Sequence, residues 1–549
     1  MKSKFLIIIV LLIIQNNFGQ NLYLKISSNT ETENKTIDSL KYEKKHSNIR
    51  SIEKEIQNIS DQLLKKGYVE IEKEELKKEN DSVFLSRFIL GKKINKIYVD
   101  TNIYSELLNL KSTEIIPIEL IEEFLNNCLG TLEKKGHSLA KAQLIKFENK
   151  NQNLHAKLIL KLEKKRTLDD IIISGYEKFP TSHLINLKRL YRKRTFNQDI
   201  LKRISSDFEK FRFIQQTKSP EILFTKDSTK VFIYLQKSKP NTFDGYIGFN
   251  NNESNKLVLN GYLDLKLQNI LNSGEKFNLY WKNNGSQQTS FDASIEIPYI
   301  FKSRLGIKAQ LQIFKQDSTF QNAKTNLDLG YFLNYNTRLY IGYQNTESSD
   351  IQNTNSNSIT DFTTSYFTSQ LEYLKLNNDD ILFPEKTNIN IKTGIGNRLT
   401  TQERSNQYFI NIDMNHNFYL NNKNLINLKS QNFYLKSNKY IVNELYRFGG
   451  INSIRGFNEN SLQANLLTSL LTEYRYKFNN AFYIHSITDY GFFTDENTTT
   501  SSSLTSIGFG FGILSKNRIF NFIYANGNSK NEPIKLSSSI VHISLKIIF

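Results

Sequence analysis

With a single cysteine, Cys128, in 549 residues, the chain can form no intrachain disulfide. Cys128 falls at a core spacing on a predicted helix and reads as a small buried apolar residue, not a nucleophile. Long apolar runs are almost as scarce. The one that stands out, Phe5–Ile14, is too short for a membrane-spanning helix, which needs about 20 apolar residues. It follows Lys2 and Lys4 and precedes a small residue, Gly19, so residues 1–20 read as a secretory signal peptide, and no cysteine follows to suggest a lipoprotein. The seven histidines are scattered with no His-Glu-x-x-His. There is no Gly-x-Ser-x-Gly and no phosphate-binding loop. "IGFGFGI" fails as a nucleotide motif because its glycines, Gly508, Gly510 and Gly512, share one face of a strand and no helix follows. These absences exclude the common hydrolase and nucleotide-dependent classes. No enzyme, no cofactor and no metal site is expected.

What is present divides at about residue 240. The net charge of +18 is uneven: residues 1–240 hold 44 Lys+Arg against 30 Asp+Glu, and the remainder 28 against 24. In the first half the lysines alternate with glutamates, as in "IEKEELKKEN", which reads as solvated helix faces and not as a nucleic-acid surface. Helical spacing dominates there: Ile49, Ile52, Ile56, Ile59 and Leu63; then Ile121, Leu125, Cys128 and Leu132; then Ile200, Ile204, Phe208 and Phe211. "LLKKGY" and "LEKKGH" repeat at a shift of 69 residues, each with a glycine where a helix wants a left-handed cap. A third unit reads strand "LDDIIISG", helices near 182–191 and 197–211, then strands "PEILFTK" and "KVFIYLQK": β-α-α-β-β.

After residue 241 the period becomes two. In "ANLLTSLLTEYRYKF" the even positions are apolar and end in aromatics, and the odd positions are largely polar. Sixteen strands of this kind are predicted, an even number, with several long polar gaps such as "NTESSDIQNTNSNSITD" and "TDENTTTSSSLT". An apolar face toward lipid, a polar lumen, short turns at one end and longer loops at the other make an outer-membrane barrel. The last strand, "VHISLKIIF", places Val541, Ile543, Leu545, Ile547 and Phe549 on one face.

Between the predicted strands 11 and 12 stands "SIRGF". Modules of about 70 residues, a 16-stranded barrel and Ile454-Arg455-Gly456-Phe457 in the sixth outer loop resemble the BamA/TamA superfamily, the bacterial surface antigen barrels. "TDYGFF", with Asp489 and Gly491, resembles that family's strand-13 motif. "TEYRY", with Glu473, fits strand 12, and "NNDDILFPEKTNINIKTG" fits the turn before strand 9. The resemblance implies POTRA modules, which are periplasmic polypeptide-binding domains, and a closing strand recognised through Phe549. Three modules are closer in architecture to TamA than to BamA. Glu473 and Asp489 lie on inward faces of adjacent strands, so an inward-folded Arg455 would bridge them with a planar fork suited to carboxylates.

The expected organisation is a signal peptide (1–20), modules at 21–93, 94–166 and 167–240, and a 16-stranded antiparallel barrel at 241–549 with an inward-folded loop at 432–463. The expected place is the outer membrane with modules in the periplasm. The resemblance implies a factor that helps polypeptides insert into or cross that membrane. Its partners would be unfolded outer-membrane or secreted polypeptides, outer-membrane lipid, and assembly partners reached through the modules, with no nucleic acid. The alternatives are a two-partner secretion transporter or a passive channel.

Overall fold

A computed structural model describes residues 21–150, 153–251, 257–283, 288–352, 359–530, 537 and 539–549. The expected signal peptide lies outside the described residues. The chain forms two compact units. One runs to Thr167 and includes Thr195–Asp199; the other comprises Leu168–Arg194 and Ile200–Phe549.

The first unit contains two small sheets with helices. In the first, Leu22–Ser28 lies parallel to Val83–Ile89, with helices α1 (Glu31–Asp38) and α2 (Ile49–Lys65) between them in sequence. α2 forms because Ile52, Ile56, Ile59 and Leu63 bury one stripe against that sheet. The Asn48 side chain caps its start by accepting from Ser51 N at 2.8 Å. Gly67 ends it at φ +101°, where a Cβ would stand 2.1 Å from the Ile94 carbonyl oxygen. In the second sheet Lys96–Asp100 lies parallel to Asn153–Lys161, with α3 (Ser105–Leu108) and α4 (Ile121–Lys134) between. Gly136 repeats the cap at φ +97°. Cys128 is buried in this core, and burial pushes its thiol up to about 11.

The second unit begins with a third sheet of the same kind. Asp170–Ser174 lies parallel to Thr229–Lys237, which pairs antiparallel with Ile214–Phe224. Helices α5 (Thr181–Tyr191) and α6 (Gln198–Phe208) lie between. All three sheets therefore join their first strand parallel to their last. The first two add a short edge strand between the helices, Lys45–His46 and Thr113–Pro117. α6 stops at Phe208, short of the expected 211, because Phe211 and Phe213 turn into an aromatic cluster with Phe179, Phe208 and Tyr335.

The rest is a closed antiparallel barrel of 16 strands. They are β1 (Thr242–Asn251), β2 (Leu257–Gln268), β3 (Lys276–Asn283), β4 (Gln288–Ile297), β5 (Leu305–Gln316), β6 (Phe320–Asn334), β7 (Thr337–Asp350), β8 (Phe362–Leu376), β9 (Glu385–Thr400), β10 (Arg404–Tyr419), β11 (Asn424–Lys436), β12 (Leu466–Lys477), β13 (Phe482–Asp495), β14 (Thr500–Ser515), β15 (Arg518–Ser529) and β16 (Ile540–Ile548). Alternation sorts the faces. On β7, Leu339, Ile341 and Tyr343 are exposed while Arg338, Tyr340 and Gln344 are buried. On β14, Ile507, Phe509 and Ile513 face outward. Gly510 and Gly512 leave room on the inner wall for the rings of His485 and Tyr483, which a Cβ would meet at 2.3 and 2.1 Å.

Two expectations about loops are corrected. "TDENTTTSSSLT" is mostly strand, since β13 runs to Asp495 and β14 resumes at Thr500. Strand ends that rise beyond the bilayer are wet on both faces, so runs of Ser and Thr there carry no alternation to read. The long sixth connection begins after Lys436, not at 432, because Asn432–Lys436 still pair with β10 and β12.

Candidate functional site

After β11 the chain turns inward. A short helical turn, Val442–Glu444, leads to a hairpin in which Tyr446–Phe448 pairs with Leu462–Ala464. The hairpin tip carries Ile454, Arg455, Gly456 and Phe457. Gly449 and Gly450 sit at φ +102° and +96°, which lets the tip fold back sharply.

Each tip residue meets the wall. Arg455 is 4% exposed. Its backbone N–H donates to Asp489 Oδ2 at 3.0 Å, Nε donates to the same oxygen at 2.8 Å, and Nη2 donates to Oδ1 at 2.5 Å. Nη1 donates to Glu473. The guanidinium thus spans the carboxylates of β12 and β13, with the bidentate side on Asp489. Ile454 is fully buried among Phe448, Leu467, Leu471, Phe493 and Leu504. It occupies the space that Gly491 leaves: a Cβ there would stand 2.2 Å from Ile454 Cδ1. Gly456, at φ +79°, lies flat on β15, where a Cβ would meet Gly527 N at 2.2 Å. Phe457 covers Gly527 in turn.

The network continues beyond the expected residues. Glu473 accepts from Arg475 Nε at 2.6 Å. The Arg475 guanidinium lies 4.3 Å from the ring centroid of Phe383, which meets Tyr483 edge to face. Phe383 belongs to the turn between β8 and β9. Asp380 shapes that turn by accepting from the amides of Leu382 and Phe383 and from Lys477 Nζ at 2.8 Å. Arg475 stands two residues from Glu473 on the same face, so the period of two could have pointed to it.

Two further fasteners hold the connection elsewhere on the wall. Glu444 pairs with Arg398 of β9 and accepts from Gln407 of β10. Beside it, Asn443 donates to Ser348 Oγ and to the Thr360 carbonyl, both at 2.8 Å. Past the tip, Glu459 accepts from Tyr280 at 2.9 Å and pairs with Lys282, both on β3. The connection is therefore a strap across the lumen, tied near β9, at β12–β13 and at β3.

The barrel closes on a short ladder. Among the described residues β1 and β16 pair only through Thr242, Phe243 and Asp244 with Ile548, Ile547 and Lys546. β1 pairs with β2 along its whole length, Thr242 to Asn251. Phe549 N donates to the Asn241 carbonyl at 3.0 Å, and its ring is exposed.

Residues 269–517 match the Omp85 superfamily domain. The barrel belongs to the Omp85 superfamily. A search of curated proteins finds no match. Among solved structures, CdiB from Escherichia coli is 13% identical, covers 91% of this chain and 98% of its own, and gives a TM-score of 0.52. CdiB from Acinetobacter baumannii is 13% identical, with 83% and 90% covered and a TM-score of 0.51. BamA from Haemophilus ducreyi lacking POTRA domains 1–3 is 15% identical, with 82% and 98% covered and a TM-score of 0.49. At these identities the likeness to the two CdiB structures is one of fold. An Omp85 barrel with an apolar outer face lies in the outer membrane.

Proposed function

We propose that this Omp85 protein helps polypeptides insert into or cross the outer membrane, and that its three modules give it a TamA-like architecture. The observation that carries the reading is the short seam. Among the described residues most of β1 has β2 as its only ladder partner, and an edge with unpaired N–H and C=O groups is a template for an incoming strand. Each module sheet also ends in an open edge strand, such as Ile214–Phe224, which suits the capture of an extended polypeptide. The driving free energy comes from the client's own folding, with no covalent chemistry by this chain. The strap across the lumen argues against a passive channel, whose conduction would need that lumen clear. The Arg455, Glu473 and Asp489 cluster, with Ile454, Gly456, Phe457 and Gly491, holds the strap in its working position.

The test is to lock the seam. In a Cys128→Ala background, Phe243→Cys with Ile547→Cys places two thiols at a paired register position. Oxidation should stop assembly of an added outer-membrane polypeptide in proteoliposomes, and reduction should restore it. Equal assembly by the oxidised and reduced forms would overturn the proposal.

A further inference from the structure

The third module does not merely precede the barrel. It docks on the turns that join barrel strands on the periplasmic side. Tyr176 hydroxyl bonds Asn269 and Asn272 of the β2–β3 turn. Asn186 and Arg189 of α5 donate to the carbonyls of Lys302 and Ser303 in the β4–β5 turn, Arg189 at 2.6 Å. This contact sets two unusual features side by side.

One is a cluster of cations. The end of α5 and the turn that follows it read "LKRLYRKR", Leu187–Arg194, with Lys188 and Arg189 on the helix, Arg192, Lys193 and Arg194 just beyond it, and no acid. Lys188 pairs with Asp170 at 2.7 Å. Arg192, Lys193 and Arg194 are exposed, and among the described residues no carboxylate pairs with them. The other is a strained turn that presents an apolar ring. Tyr299, Phe301 and Lys302 stand at φ +54°, +53° and +56°, a region costly for residues with a side chain. Tyr299 is buried against His183 of the module, whereas Phe301 is 92% exposed. The turn caps the lipid face formed by Ile295, Ile297, Leu305 and Ile307, all exposed. Leu271, on the neighbouring turn, is 76% exposed.

A ring held out at the end of the lipid face, beside a cluster of unpaired cations, has the composition of a membrane-interface anchor. We propose that the end of α5 and the Phe301 turn together bind anionic phospholipid headgroups of the periplasmic leaflet. Phe301 and Leu271 enter the boundary between headgroups and chains. Arg192, Lys193 and Arg194 face the phosphates. Strain in the turn is balanced by Tyr299 on one side and by lipid on the other. An acidic segment of a client polypeptide would match the cations but not Phe301 or Leu271.

The test uses the full chain in lipid nanodiscs and two photoactivatable lipids that differ only in headgroup, phosphatidylglycerol and phosphatidylcholine. A cation near an anionic surface changes affinity by roughly fivefold. Three such cations, partly screened by salt, should give the phosphatidylglycerol probe on the order of tenfold more labelling at 187–194 and 299–304. Arg192→Gln with Lys193→Gln and Arg194→Gln should abolish that preference, while labelling around Phe509 on β14 stays equal for both probes. To separate loss of binding from loss of fold in the triple variant, Lys193→Gln alone and a salt titration of the unaltered protein give independent readings. Both should lower the preference. Equal labelling by the two probes, or a preference that survives the triple variant and high salt, overturns the proposal. Displacement of the anionic probe by polyglutamate, with polyglutamate binding in detergent lost in the triple variant, would assign the surface to acidic polypeptide instead. None of these readouts involves client assembly, so the inference stands or falls apart from the proposed function.

Discussion

Arg455→Ala removes three side-chain hydrogen bonds from a site almost closed to water. Each charge-assisted bond is worth about 1.5–3 kcal/mol, but their sum overstates the loss. What decides the outcome is the charge left behind. Glu473 keeps Arg475 at 2.6 Å, whereas the Asp489 side chain is fully buried and its side-chain partner is Arg455. Removing one partner of such a pair costs ~3–5 kcal/mol, because the remaining ion is uncompensated. Asp489→Asn removes that ion, and the amide keeps an oxygen to accept from Arg455 N. The Arg455→Ala, Asp489→Asn double variant should therefore lose about 2 kcal/mol less than the two single losses summed. Arg455→Lys should recover only part, since an ammonium cannot reproduce the two-point contact with Asp489. The assay is urea unfolding followed by the heat-dependent gel shift of the barrel, with protease access to residues 449–461 measured in parallel. Additivity within about 0.5 kcal/mol in both readouts would refute the coupling and leave Arg455 an ordinary loop residue.

The two glycines of the site should respond differently. Gly456→Ala meets the backbone of Gly527 at a positive φ and should release the tip, whereas Gly491→Ala meets only the end of the Ile454 side chain and should be accommodated at ~1–2 kcal/mol. Equal proteolysis of the tip in both variants would count against this. His183 gives a pH dependence to the docking of the third module. Its ring is packed among Phe179, Phe211, Phe213, Tyr299 and Tyr335, and burial beside Arg338 and Lys276 lowers it to about 3. A histidine depressed from 6.5 leaves docking unaffected above that pH and weakens it as pH falls, by about 2 kcal/mol at pH 5. Hydrogen exchange in α5 should rise between pH 7 and 5 in the unaltered protein and not in His183→Phe. An equal rise in both would assign the effect to other groups.

How much of this was legible in the sequence depends on the range of the interaction. The strands were legible because lipid on one side and lumen on the other impose alternation on each strand by itself, and the sixteen expected strands are matched by β1–β16. Where that imposition ends, at the wet tips of β13 and β14, the reading failed. The cluster at Arg455 was legible partly for a similar reason and partly through the family resemblance of "SIRGF" and "TDYGFF", which alone implied that the loop folds inward. Gly456 and Gly491 mark places where the strap and the wall approach too closely for a side chain, and Glu473 and Asp489 face inward by parity alone. The other fasteners have no such mark. Arg398 with Glu444, and Lys282 with Glu459, are ordinary charges on polar segments until the barrel closes and brings distant strands to the same strap. Tyr280 and Glu459 are 179 residues apart. Their pairing follows from barrel curvature, which no local pattern encodes. The same holds for His183, which reads as one more residue on a basic helix until the turns of the barrel enclose it. Alternation along the chain thus specifies the wall, and closure of the wall specifies what the strap and the third module can touch. The strap's ties at β3, β9 and β12–β13 all depend on a closed barrel, so an incoming strand that parts β1 from β16 also acts on the β3 tie, the nearest of the three to the seam.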